Sequence, residues 1–339
     1  MGRADRRQQL RWGIWLIVFL LLLLAMRNVR IGDAVAVLQT IEWGQILLLI
    51  LLNGWILAAG TARWWALLAG FGHHLPFLPL LAHRIAGFGV SFITPGPQFG
   101  GEPVQILLCE QHNVPRPVAI ASVSLERSLE LMINFGFLLL GAGLVLRAGV
   151  GRTALSPITI LFIFAVFLLP PLYILLLAGG KRPLTRTLSA VRSRFTPPPP
   201  WFARLFAAIT GVETELAAFC RRSARFLWIA LLLSIAGWTL LIAEFGLMFA
   251  VLGAPLSPVQ LITLLTAARL AILLPLPGGL GSLEAALIWT LTEMGFAPSI
   301  AAGALLLVRL RDFSLALAGI WWLRRRLPYP PPEPVRLPD

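Results

Sequence analysis

The sequence predicts an all-α polytopic membrane protein, with about six transmembrane helices plus two re-entrant helical hairpins in an inverted repeat. Three observations lead there. Of 339 residues, 58% are apolar and only 13% charged, and the mean hydropathy is +0.83. A soluble globule of this length has no interior able to hide so much apolar surface. The second observation is repetition: Pro95-Gly96-Pro97-Gln98-Phe99-Gly100-Gly101-Glu102 is echoed by Pro277-Gly278-Gly279-Leu280-Gly281-Ser282-Leu283-Glu284, with the glutamate seven positions after the proline in both. Arg127 and Arg309 each follow their proline by 32 positions, and Glu130 and Asp312 by 35, so one offset of 182 aligns five positions. A turn motif and three charges at fixed spacing mark an internal duplication, which in a membrane chain points to a transporter-like core. The third observation is where the charge sits. The net charge is +13, but the arginines flank apolar runs, as membrane orientation demands, so nucleic acid is excluded as a partner.

The chain reads as one integral membrane domain over 1–339. Two N-terminal spans occupy 1–75, a first repeat 76–178, a cytoplasmic basic loop with an amphipathic helix 179–225, a second repeat 226–323 and a Pro-rich tail 324–339. Arg3, Arg6, Arg7 and Arg11 precede an apolar run from Trp12 to Met26. Ala34-Val35-Ala36 imitates a signal-peptide cleavage site, but it lies well past the end of that run at Arg27, which favours a retained first helix. Gln45 to Ala69 is the second span, with Trp55, Trp64 and Trp65 as interfacial anchors.

Pro76 to Thr94 is apolar but broken by Gly87 and Gly89, carries Arg84, and ends on the first Pro-Gly loop; Gly101 to Glu110 is too short to cross. Together they predict a hairpin that enters the bilayer and returns, its loop shielded by protein because lipid cannot satisfy bare backbone. Pro117 to Leu146 and Leu155 to Ala178 are the next two spans, the second dented by Pro170-Pro171. Within the polar stretch from Lys181 to Arg225, Phe202, Leu205, Phe206, Ile209, Val212, Leu216, Phe219 and Cys220 recur at helical steps. That face fits either the membrane surface or the protein's own loops. Phe226 to Leu252 spans with Glu244 inside it, Pro258 to Leu274 and Gly281 to Thr292 repeat the hairpin with Arg269 in its first arm, and Pro298 to Leu323 is the last span.

This order places the N-terminus, the 181–225 loop and the C-terminus on one side, with four, nine and four Lys or Arg residues, against Arg27, Arg30, Arg147 and Arg152 on the other. The positive-inside rule makes the rich side cytoplasmic, in the cell membrane. Three spans separate the hairpins, so the first opens from the cytoplasm and the second from outside, an inverted arrangement.

Glu126, Arg127, Glu130, Glu244, Arg269, Arg309, Arg311 and Asp312 fall inside predicted membrane helices, where a charge costs about 2.5–3.5 kcal/mol unless matched. Arg127 and Glu130 share a helical face, and Arg309 and Asp312 repeat the pair. Such pairs either hold helices in register or serve a site. The loops favour a site: Pro95, Gly96 and Gly101, like Pro277, Gly278 and Gly279, lead into short helices whose N-terminal amides attract an anion. Arg127 and Arg309 beside them suit a phosphate, while Glu102, Glu284, Glu130 and Asp312 orient the arginines or meet a cationic headgroup. Histidines 73, 74, 83 and 112 lack the companions of a zinc site, Cys109 and Cys220 imply neither disulfide nor metal, and no catalytic motif appears. The chain is therefore not read as an enzyme, and no cofactor or metal is expected.

At Pro95-Gly96 with Gly101-Glu102, Glu126-Arg127, Pro277-Gly278-Gly279-Leu280-Gly281 with Glu284, and Arg309, the chain resembles the lysylphosphatidylglycerol synthase transmembrane-region family. That family is the flippase-like membrane half of bacterial multiple-peptide-resistance proteins, and the likeness runs from about Gln45 to Leu323. It implies a stand-alone member that handles or translocates lipid without a synthase domain. Where relatives carry an arginine shortly after Gly-Glu, this chain has Gln105. The resulting expectation is a flippase-like carrier of a phosphate-bearing membrane lipid, by rocking of the two repeats around a cavity lined by Glu102, Arg127, Glu284 and Arg309. The alternatives are a non-transporting partner that presents a lipid or lipid-linked sugar to a separate lipid-modifying enzyme, and a membrane-embedded transferase using the acidic residues.

Overall fold

A computed structural model of the chain describes residues 41–94, 100–147, 157–193, 199–274 and 276–326, together with Gly32 and Gln39. The expected first span, most of the first Pro-Gly loop and the Pro-rich tail beyond Arg326 lie outside them. The described residues are helical: α1 (Trp43–Gly70), α2 (Phe77–Ile93), α3 (Glu102–Glu110), α4 (Arg116–Arg147), α5 (Pro157–Ala178), α6 (Pro183–Arg192), α7 (Pro200–Arg222), α8 (Ala224–Val251), α9 (Pro258–Ile272), a 3₁₀ turn (Pro277–Gly279), α10 (Ser282–Glu293) and α11 (Pro298–Arg326). Among them α1, α4, α5 and α8 are long and apolar enough to cross a bilayer. With 29 residues α11 has the length, and its own arginines lower its apolar character. The chain is an all-helical polytopic membrane protein.

Local chemistry sets several boundaries. Ser257 caps α9, accepting from the Gln260 amide at 3.4 Å while Gln260 Oε1 accepts from the Ser257 amide at 2.9 Å, a reciprocal box before Pro258 at the first helical position. The helix α5 runs on through Pro170-Pro171.

The helices pair crosswise. α1 lies along α8, α2 packs on α11, and α9 packs on α4, so the first arm of each hairpin is gripped by the long helix that follows the other hairpin. Small residues permit the close approach. A Cβ on Gly319 of α11 would sit 2.1 Å from the Ile85 carbonyl oxygen of α2, and one on Gly101 would sit 2.0 Å from the Gly87 carbonyl oxygen. Gly319→Ala therefore forces backbone apart rather than a side chain aside, and is expected to cost about 1–3 kcal/mol or more. A lowered unfolding midpoint in detergent, with the Gly143→Ala control unchanged because its Cβ position is open, checks this.

The amphipathic stretch resolves toward the protein's own body. Phe202, Leu216, Ala217, Phe219 and Cys220 of α7 are buried, several of them against Leu67, Leu125 and Leu177 of the spans. Glu213, on the same helix, is 1% exposed; its carboxylate accepts from the amides of Leu184 at 3.0 Å and Thr185 at 2.7 Å and from the Tyr173 hydroxyl at 3.1 Å. A carboxylate thereby fills the open N-terminal donors of α6.

Candidate functional site

Each hairpin carries the same clamp. In the first, Glu102 opens α3; one carboxylate oxygen accepts from the Gly100 amide at 2.7 Å and the other from Arg127 Nε at 2.8 Å. In the second, Glu284 accepts from the Gly281 amide at 2.8 Å and from Arg309 Nε at 2.6 Å. The spacing of 25 residues between acid and arginine is common to both. A glutamate in the first turn thus ties its own loop to the long helix that follows.

The two clamps differ in burial. Arg309 and Glu284 are 9% and 4% exposed in their side chains, whereas Arg127 and Glu102 are both 22% exposed. Arg309 also donates to the carbonyls of Gly278 at 2.9 Å and Gly279 at 3.2 Å. Those carbonyls point inward because Gly278 and Gly279 take φ of 57° and 61°, the left-handed region. Arg127 instead continues to Glu130 at 3.0 Å.

Two further networks flank the clamps. Glu126 of α4 accepts from Arg63 of α1 and, at 2.6 Å, from Arg84 of α2. Arg63 also reaches Glu130 at 3.4 Å and Ser234 Oγ at 3.3 Å, joining α1, α4 and α8. On the other side, Glu244 of α8 takes Arg311 of α11 at 2.8 and 3.1 Å and Asn53 of α1 at 2.6 Å, while Asp312 takes Arg311 Nε at 3.0 Å.

Between these networks lies a chamber of about 240 Å³, walled by Asn53 of α1, Arg84 and Ser91 of α2, Glu102 and Gln105 of α3, Arg127 and Glu130 of α4, Glu244 of α8, Arg269 of α9 and Arg311 and Asp312 of α11. Ile56, Leu57, Phe88, Phe92, Leu241 and Leu315 supply its apolar wall. A second chamber of about 160 Å³ shares Arg84, Arg127, Glu130 and Arg269 with the first and extends to Arg63, Asn134, Ser234 and Trp238. Both hairpins reach the first chamber, and the Gly278 turn packs against the Phe92 ring, 2.8 Å from where a Cβ would stand.

Of the residues singled out in the sequence, Gly101, Glu102, Arg127, Glu130, Asp312 and Gly278 line the chamber, and Pro95 and Gly96 lie outside the described residues. Three expectations need correction. Glu284 and Arg309, with Pro277 and Gly279, do not line it; Arg309 is spent on Glu284 and on loop carbonyls behind the turn. Arg309 and Asp312 do not repeat the Arg127–Glu130 pair, because Asp312 turns to Arg311. Among the described residues, three of the loop amides are not open to an anion: those of Gly100, Gly101 and Gly281 are taken by Glu102, Ser91 and Glu284. Arg63, Asn53 and Trp238 were not foreseen, although Arg63, a charge inside an apolar run, carried the signal that marks the others. Gln105 lies over Gly87 at the chamber wall. His83 and His112 meet edge to face with ring centres 4.9 Å apart, and among the described residues no group of three or more His, Cys, Asp or Glu could hold a metal.

Comparison with known proteins gives a consistent result. The chain matches the family described as the lysylphosphatidylglycerol synthase TM region over residues 12–319. It is similar to a UPF0104 membrane protein of Methanocaldococcus jannaschii, 23% identical over 310 residues that cover 88% of this chain and 90% of that one. A UPF0104 membrane protein of Methanothermobacter thermautotrophicus is 26% identical over 280 residues, covering 79% and 81%.

Proposed function

Because the chain belongs to the lysylphosphatidylglycerol synthase TM region family, we propose that it is a flippase-like carrier that moves a phosphate-bearing lipid between the leaflets of the cell membrane, its termini cytoplasmic. One observation carries this reading: the charged chamber is walled by α1 to α4 together with α8, α9 and α11, with α2 held by α11 and α9 by α4, across the two repeats that the sequence suggests. A site shared in this way is one that rocking of the repeats exposes alternately to the two faces. The hairpin arms support re-entrant geometry, since α2 and α9 have 17 and 15 residues and α3 and α10 have 9 and 12. A helix that crosses needs about 20. The carrier reading calls for no catalytic step.

The test is exchange of labelled phospholipid between leaflets of vesicles holding the purified protein. Wild type is expected to accelerate exchange, and Arg127→Ala to slow it about tenfold or more while the protein stays folded, because Arg127 borders both chambers and is part-exposed. Wild-type protein that leaves exchange at the rate of empty vesicles refutes the carrier reading. Co-purification with a lipid-modifying enzyme in that case assigns the chamber to lipid presentation.

A further inference from the structure

The charged centre holds six arginines from five helices, and five of them are matched to carboxylates. Arg63 and Arg84 meet Glu126, Arg127 meets Glu102 and Glu130, Arg309 meets Glu284, and Arg311 meets Glu244 and Asp312. The sixth, Arg269 of α9, is different. Among the described residues it makes no ion pair or hydrogen bond; its contact is with the Trp238 ring of α8, whose centroid lies 4.7 Å from the guanidinium carbon. The carboxylates nearest in charge, Glu130, Glu244 and Asp312, are already bonded to Arg127 and Arg311.

Arg269 also stands where the two chambers meet, lining both. Trp238 acts as its shelf: the indole packs on Phe137 at 5.0 Å between ring centres, and a guanidinium lying over an aromatic face keeps its edge donors free. A half-buried guanidinium on an aromatic shelf, with its donors unclaimed among the described residues, fits the two oxygens of a phosphate. Glu130, Glu244 and Asp312 around it favour an anion with one charge over one with two, since each added negative charge is repelled by three carboxylates.

We infer that Arg269, seated on Trp238 at the junction of the chambers, anchors the singly charged phosphodiester of a lipid headgroup. This rests on the carrier reading for its role in transport but not for binding. The other five arginines are bonded to carboxylates, whereas removing Arg269 leaves no carboxylate without a partner among the described residues, so Arg269→Gln is expected to fold.

The experiment measures the unfolding midpoint of the detergent-purified full chain titrated with dihexanoyl phosphatidylglycerol, dihexanoyl phosphatidic acid, glycerol 3-phosphate or inorganic phosphate. Wild type is expected to be stabilised by the phosphatidylglycerol at lower concentration than by the other three. Arg269→Gln should raise the concentration needed about tenfold or more, and Arg269→Lys should restore part of it, because a charge remains without the planar fork. Equal responses of wild type and Arg269→Gln overturn the assignment, as does a wild type that responds to none of the four. Preference for phosphatidic acid or for free phosphate overturns the diester or the lipid source, respectively. Leaflet exchange is read separately: loss of stabilisation in Arg269→Gln with no exchange by wild type leaves the anchor standing and removes the carrier.

Discussion

Arg309→Ala is expected to yield a protein that unfolds on extraction or well below the wild-type midpoint, whereas Arg127→Ala survives. Both arginines lie 25 residues after their clamp glutamate, so the contrast comes from burial and from the loop carbonyls that Arg309 alone of the two holds. Removing Arg309 leaves the Glu284 carboxylate, 4% exposed in its side chain, with the Gly281 amide but no counter-charge, and also strips the Gly278 and Gly279 carbonyls of their donor. Breaking one partner out of a buried pair costs about 3–5 kcal/mol, a large share of the roughly 5–15 kcal/mol that holds a domain folded. Arg127→Ala leaves Glu102 part-exposed and still bonded to the Gly100 amide. Size-exclusion of fluorescent fusions after heating gives both midpoints. Arg309→Ala with Glu284→Ala should regain part of the loss, since neither charge is then stranded; an Arg309→Ala midpoint equal to wild type would show that the clamp does not hold the second hairpin.

The second large effect belongs to Glu126→Ala. Glu126 is the one carboxylate on which Arg63 and Arg84 converge, from α1 and α2. Its removal leaves Arg63, 4% exposed, with Glu130 at 3.4 Å, and leaves Arg84 with the Gly60 carbonyl at 3.2 Å. The loss is expected to reach about 3–5 kcal/mol, because Arg84 loses its bonded carboxylate and Arg63 keeps only the longer contact to Glu130. Glu130→Gln, at a carboxylate whose side chain is 32% exposed, should lower the midpoint by much less. The same heating assay compares them, and equal midpoints for the two variants would refute the ranking.

The fold was legible where sequence periodicity meets a hard physical limit. Apolar runs of span length, the short arms of the hairpins and the offset of 182 between Glu102–Arg127 and Glu284–Arg309 are local, countable features, and the helices and both clamps follow them. Partner choice was not legible. Asp312 sits three residues from Arg309 on the same helix, as Glu130 does from Arg127, yet Arg309 turns to Glu284, 25 residues away, and Asp312 to its neighbour Arg311. Spacing along a helix shows which side chains can meet, while tertiary packing decides which do. The standing of Arg269 was hidden for the same reason: in the sequence it looks like the other buried charges, and only the pairs in three dimensions show that, among the described residues, it rests on Trp238 and on no carboxylate.

The crosswise pairing also orders events during biogenesis. Because α2 seats on α11, that contact can form only once α11 has been made, whereas α9 can meet α4 as soon as it emerges. A break between the halves would leave each fragment holding an unlatched hairpin, so neither half is a self-sufficient folding unit.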